Sequence, residues 1–374
     1  VKKRFLIGQL ARFGDCLYAT TVAQQIKSDF PDSHVTWAVA SAYKGILEHN
    51  PFVDDIWEIE GDFREDGWKC FEEEALRRHS RGMYDEVVLT QLIGRNWANF
   101  DGTIRSSLLR GYGRPITVPV APVVRLSESE VRNVKRFAQG HKLEQFKNVI
   151  LFECSPGSSQ SSVNTGFALQ VVKEITLRHP DTCFILSTPK AVMTSSAQIF
   201  DASVLTFREN AELSKYCTLL VGCSSGITWL CTSDWARKLD TIQIIDEGYG
   251  MFAGVAYDQD LWNIDCSHIL EISNKAIGSL AQIIEVTLTR GFPEAKQRYH
   301  RVFRPTFHCL KPVIRQLWAH DRKAGSYKKV FLNILERNKH FRFWPLLGMF
   351  VWYFLTDPYV RRVEKFFRKR KNKG

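Results

Sequence analysis

At 374 residues, with 44% hydrophobic and 24% charged side chains, the chain is too long for one ordinary core and too apolar for a disordered polymer. The net charge of +11 is unevenly placed: residues 296–374 carry 21 Lys+Arg against four Asp+Glu, which leaves residues 1–295 mildly acidic. A folded, acidic body with a basic appendage points to an anionic surface as partner, either a membrane or a nucleic acid.

In chain order, Arg4–Gln9 reads as a short apolar strand, with a turn at Arg12-Phe13-Gly14-Asp15. Val1-Lys2-Lys3-Arg4 leads into an apolar run that breaks at Gly8, too brief for a signal-peptide core, so a cytosolic location is expected. Leu17, Val22 and Ile26 share a helical face over 17–29. Strands are predicted at Val35–Val39, Asp55–Ile59 and Tyr84–Thr90, with a helix over Ala42–His49. After a polar bridge (125–147) the pattern restarts. Asn148–Glu153 is a continuous apolar strand suited to the middle of a parallel sheet, followed by a Ser/Gly loop and a helix over Phe167–Arg178. Further strands are expected at Cys183–Ser187, Leu219–Gly222 and Thr241–Ile245. Strands alternating with helices imply parallel, doubly wound sheets. The expected division is 1–138, 148–292 and a basic helical appendage over 293–374.

The appendage mixes bases with aromatics. Tyr327–His340 has amphipathic helical spacing, and Trp344–Leu355 is an apolar run too short for an ordinary membrane span of about 20 residues. The nine cysteines are scattered, with no CxxC pair and no zinc-spaced His cluster, and read as reduced core thiols.

Three places carry chemistry. Gly14-Asp15 stands at the end of the first strand, where open parallel sheets bind ligands. Asp15 there either accepts a proton from an incoming hydroxyl or caps the following helix. The loop Ser155-Pro156-Gly157-Ser158-Ser159 follows a buried strand and precedes a helix. Its hydroxyls and amides either hold phosphate oxygens or form a solvated linker; it lacks both the Walker and the GxGxxG patterns. Gly222-Cys223-Ser224-Ser225-Gly226 is a second strand-to-helix turn of small residues, and the pair favours a diphosphate site. The same five residues match a Gly-x-Ser-x-Gly nucleophile elbow, with His268, His300 and His308 as formal partners.

The run Phe5–Asp15 with Thr20-Thr21, then Phe30-Pro31-Asp32, Val35-Thr36-Trp37, Leu47–Asp54 and Tyr84-Asp85 leading to Gln91, resembles in order the family-9, heptosyltransferase-type glycosyltransferases over most of 1–110. Gly222–Gly226 is similar to that family's donor-site Gly-Asn-Asp-Ser-Gly turn, with Cys223 and Ser224 in place of Asn and Asp. Ser155-Pro156-Gly157 stands near its His-Pro-Gly. A phosphate-binding Lys does not follow the Ser loop; Lys173 and Lys190 are distant candidates.

The resemblance implies a GT-B fold of two Rossmann-like lobes and an inverting transfer from a nucleotide-sugar to a glycan or glycolipid in bacterial surface polysaccharide assembly, of lipopolysaccharide type. Asp15 would be the base. Ser155, Gly157, Ser158, Ser159, Gly222, Ser224, Ser225 and Gly226 would line the donor, and Arg12, Gly14, Gln91 and Arg95 the acceptor. No cofactor and no metal are expected, since no metal-spaced cluster of ligands occurs. The tail over 341–374 would hold the enzyme on the inner face of an anionic membrane, and no nucleic acid is expected. Two other classes fit some of these features: a sugar-nucleotide epimerase of the same fold, and a non-catalytic membrane- or nucleic-acid-binding protein.

Overall fold

The computed structural model describes residues 2–61, 65–157, 160–246, 252–273 and 276–305, with residues 348, 352 and 356 beyond them. β1 (Arg4–Gly8) leads into α1 (Phe13–Asp29) and β2 (His34–Ala40). A 3₁₀ helix (Ser41–Leu47) replaces the expected α-helix before β3 (Asp55–Ile59). α2 (Glu65–Ser80), β4 (Glu86–Leu89), a 3₁₀ turn (Gly94–Asn99) and α3 (Ile104–Leu109) complete the first half. The second half runs α4 (Glu128–Gly140), β5 (Asn148–Glu153), α5 (Thr165–Thr176), β6 (Thr182–Ser187), β7 (Ile199–Asp201), α6 (Glu209–Leu213), β8 (Leu219–Gly222) and α7 (Gly226–Leu230). It ends with β9 (Asp240–Ile244), α8 (Val255–Asp260), β10 (Ile269–Ile272), α9 (Ile277–Arg290) and α10 (Phe292–Tyr299).

The strands form two parallel sheets, ordered β3-β2-β1-β4 and β10-β9-β8-β5-β6-β7. In the first, Phe5 pairs with Val35 and Ile7 with Trp37, while Leu6 pairs with Val87 on the other side. Alternation sends Phe5 and Ile7 to the α1 face with Trp37, and Leu6 to the opposite face with Trp68 and Phe71 of α2. Both faces are covered, which is why β1 is apolar without a break. In the second sheet Ile150 and Phe152 face α5 and α9, and Val149 and Leu151 face α4.

α4 spans the division expected at 138. It buries Val134, Phe137 and Ala138 with strands β5 and β6 of the second sheet, and its start is fixed by a capping box between Ser127 and Glu130. α1 is buried nearly all round, from Cys16 to Ala23, because it is sandwiched between its own sheet and α7. Accordingly one apolar cluster contains Leu17, Tyr18 and Val22 together with Trp229, Leu230, Val255 and Ala256 of the second half. The chain divides into two compact units, 1–304 and 305–374. In the latter, Gly348, Trp352 and Thr356 are helical, and the remaining residues of the expected segments Tyr327–His340, Trp344–Leu355 and 361–374 lie outside the described residues. Among the described residues no helix is long and apolar enough to cross a membrane.

Candidate active site

Strand order locates the two crevices. β1 has β2 on one side and β4 on the other, and β5 lies between β6 and β8, so each is where the winding of its sheet reverses. The loops leaving β1, β5 and β8 are those that carry the three motifs.

The β1 loop is built by side chains from the neighbouring strand end. Gln91, just after β4, accepts through its Oε1 from Leu10 N–H and Ala11 N–H, each at 3.0 Å, and from Gln9 Nε2 at 2.8 Å. Gln91 therefore shapes the turn from beneath. Arg12 follows at φ 73, an uncommon conformation for a residue with a Cβ, and α1 begins at Phe13 rather than at Leu17. Asp15 thus lies inside the first helical turn. Its carboxylate accepts no hydrogen bond among the described residues, so it is not the cap of this helix. Burial pushes the Asp15 carboxyl up to about 7, against the nearby Arg12 guanidinium, which pulls it down. A carboxylate poised there is half ionised near neutral pH, the condition for a general base.

Gly14 has no side chain because Trp229 of α7 occupies that space: a Cβ would stand 3.0 Å from Trp229 Cδ1. Gly226 is bare for the reciprocal reason, a Cβ there meeting Phe207 at 2.9 Å and Phe13 Cβ at 3.2 Å. The first and third motifs are therefore pressed together where the two sheets meet.

The β8 turn is held from within. Glu153, the last residue of β5, is buried and accepts from Cys223 N–H (2.9 Å), Ile227 N–H (3.0 Å) and Thr228 Oγ1 (2.8 Å). Ser224 N–H donates to Gln243 Oε1 at 2.8 Å, and Gly226 N–H to Ser225 Oγ at 2.7 Å. Burial raises the Glu153 carboxyl above its ordinary range, and these hydrogen bonds pull it back down. The amides expected to face a diphosphate are thus turned to an internal carboxylate. In the sequence Glu153 reads only as the end of an apolar strand. The signal available there was an acid in a fully buried run.

Ser224 sits at φ 50 with its hydroxyl buried and without a partner. His268 precedes β10 at the opposite end of the sheet and His300 Nδ1 accepts from Glu271 N–H at 3.0 Å, so neither serves Ser224; His308 lies outside the described residues. Among the described residues the nucleophile-elbow reading lacks its base. Burial also pushes the Cys223 thiol well up, which leaves it inert. The eight cysteines among the described residues are free.

The Ser loop leaves β5 beside this turn. Ser155 and Gly157 are exposed, whereas Ser158 and Ser159 lie outside the described residues. Its far end is fastened by Asp246, after β9, which accepts from Ser162 N–H at 2.8 Å. Asn164 caps α5 through Phe167 N–H. Arg95 falls in the 3₁₀ turn Gly94–Asn99, after β4. Among the described residues no three His, Cys, Asp or Glu side chains gather in a way that could hold a metal ion.

Behind the site a buried ion pair crosses between the halves, with Arg105 Nε of α3 standing 3.3 Å from Asp258 Oδ2 of α8. The guanidinium also lies 4.8 Å from the ring centre of Tyr18. Arg208, just before α6, pairs with Glu130 at the start of α4 within the second half (Nε–Oε1 3.0 Å) and reaches across to the Glu48 carbonyl of the first (2.7 Å). Neither pairing has a local sequence signature.

No known protein-family profile matches this chain, and no curated protein matches it. Among solved structures, the family-9 glycosyl transferase of Veillonella parvula superposes with a TM-score of 0.52 at 14% identity, over 84% of this chain and 98% of its own. The fold is GT-B. Two others align more loosely. The E. coli heptosyltransferase WaaC with ADP has a TM-score of 0.49 and 10% identity over 77% and 99% of the two chains. A UDP-N-acetylglucosamine 2-epimerase from Listeria monocytogenes, described as putative, has 0.47 and 10% over 87% and 98%. In this GT-B frame the β1 loop belongs to the first lobe and the β5 and β8 loops to the second, and α1 and α7 bring them together.

Proposed function

We propose that the protein is an inverting glycosyltransferase, moving a sugar from a nucleotide-sugar to a glycan or lipid-linked glycan in bacterial surface polysaccharide assembly. The observation that carries this reading is the convergence of two strand-end turns from different sheets, Asp15 on one and Ser224–Gly226 on the other, packed so closely that a Cβ at Gly226 would stand 3.2 Å from Phe13 Cβ. A bare carboxylate with its proton affinity raised to about 7 supplies the base that takes the acceptor hydroxyl proton as the oxygen attacks the anomeric carbon.

Because Glu153 and Gln243 occupy the amides of the β8 turn, the departing diphosphate is assigned to the Ser loop, of which Ser155 and Gly157 are exposed, with Ser225 of the neighbouring turn. Charge there is met by hydroxyls and amides, so EDTA should leave transfer unchanged. Gln91 acts by shaping the β1 loop, and Arg12 by its charge beside Asp15. The basic C-terminal stretch, eight Lys+Arg and one Glu in residues 361–374, suits an enzyme whose acceptor is held at an anionic leaflet.

The test is thermal stabilisation of the full chain by a panel of UDP-, ADP-, GDP- and CDP-sugars, followed by incubation of the hit alone. Stabilisation by one nucleotide-sugar at about 100 times its Kd corresponds to roughly 3 kcal/mol. Conversion of that sugar to its epimer without any acceptor would favour the epimerase reading instead. Absence of stabilisation by every nucleotide-sugar would remove both.

A further inference from the structure

Three aromatic rings stand at the rim of the seam, and the transfer chemistry leaves them unused. Phe13 is the first residue of α1, Tyr43 lies in the 3₁₀ helix after β2, and Phe207 comes just before α6. Phe207 stacks on Phe13 with ring centres 4.4 Å apart and planes inclined by 27°, while Tyr43 meets Phe13 edge-on at 4.9 Å and 75°. The two partners are half-buried, but Phe13 keeps 36% of its surface exposed. The rings come from both lobes, and Phe207 can lie over the β8 turn only because Gly226 has no side chain.

An exposed ring braced on two sides by other rings is a rigid apolar surface of about one ring's area. It is too small for a lipid chain. A charged group borders it. Arg12, immediately before it, is exposed, held at positive φ, and forms no ion pair among the described residues. Asp15 lies two residues on in α1 and points away from the Phe13 side of the helix, so the charged neighbour of the ring is Arg12.

We propose that the exposed part of the Phe13 ring is the stacking platform for the sugar ring of the acceptor, with Arg12 meeting its hydroxyl edge. A pyranose presents an apolar C–H face and a polar rim, and that is the complement of a braced ring flanked by a cation. This assignment rests on the glycosyltransferase reading and adds to it the class of group that the first lobe binds.

The experiment uses the full chain and two independent readouts. Saturation-transfer NMR with methyl glycosides (gluco-, manno-, galacto- and heptopyranosides) reports the platform. Thermal stabilisation by nucleotide-sugars reports the donor site. Phe13→Tyr keeps the ring and should retain saturation of the glycoside C–H protons. Phe13→Leu keeps apolar volume without the ring and should weaken glycoside binding about 2- to 10-fold, the range of an aromatic contact. Its nucleotide-sugar stabilisation should be unchanged.

Equal glycoside binding by Phe13→Leu and wild type overturns the platform, as does wild type that binds nucleotide-sugars but no glycoside. Loss of nucleotide-sugar stabilisation in Phe13→Leu also overturns it, because the ring would then serve the donor base. If Phe13→Leu does not fold, Tyr43→Leu, which removes the edge-on brace, should weaken glycoside binding in the same direction. Unchanged binding in that variant counts against the proposal equally. Failure of the function itself looks different, since no nucleotide-sugar would then stabilise any form of the protein.

Discussion

If Asp15 is the base, transfer depends on its ionised fraction, and that dependence can be worked out from its surroundings. With the carboxyl at about 7, roughly one molecule in ten carries the charge at pH 6 and roughly nine in ten at pH 8. The rate with a bound donor should therefore rise close to tenfold between those values and level off above. Asp15→Asn removes the base while keeping shape and volume, and should lower kcat at least about 100-fold, near 3 kcal/mol of barrier, with donor affinity kept. Arg12 supplies a second perturbation. Its charge pulls the Asp15 carboxyl down, so Arg12→Gln should move the rising limb to higher pH without abolishing it. The assay is release of nucleoside diphosphate from whichever nucleotide-sugar stabilises the protein, measured as kcat/KM across pH 5.5–9. A profile flat from pH 6 to 8, together with undiminished transfer by Asp15→Asn, would refute the assignment.

Two further predictions follow from other residues. Glu153→Ala removes the acceptor of two buried amides and one hydroxyl, and should destabilise the chain by about 3 kcal/mol or more in urea unfolding, Glu153→Gln by less; unchanged midpoints would show that the β8 turn is held by other contacts. Deleting 361–374 removes eight bases and one acid, and should abolish most salt-sensitive sedimentation with anionic liposomes while leaving donor binding intact; equal sedimentation of both forms would exclude this stretch as the anchor.

Much of the scaffold was legible in the residues. Asp55–Ile59, Asn148–Glu153 and Leu219–Gly222 form strands over the bounds that their apolar runs suggested, and five other strands were found within two residues at either end. Buried parallel strands are continuous apolar segments between turn residues, so they can be read locally. β7 and β10 have three and four residues and were not expected. Residues 125–147 read as a polar bridge although Ser127-Glu128-Ser129-Glu130 spells a capping box. The few apolar positions of α4 are at helical spacing, but they acquire meaning only against the second sheet.

The sequence by itself determined the alternation of strand and helix, the small-residue turns at the strand ends and the place of Asp15 on one of them. Those features depend on neighbours within a turn or two of chain, where spacing, glycine and capping chemistry decide. What only the tertiary structure decided is how distant groups share space. Glu153 turns inward to fill the very amides a diphosphate would have used, and Gln91 fastens a loop 80 residues away. Arg105 is matched to Asp258, and Phe13 is set between Tyr43 and Phe207. Hydrogen bonding and packing between residues far apart in sequence leave no periodic trace, because the free energy of each contact depends on what the fold brings opposite it.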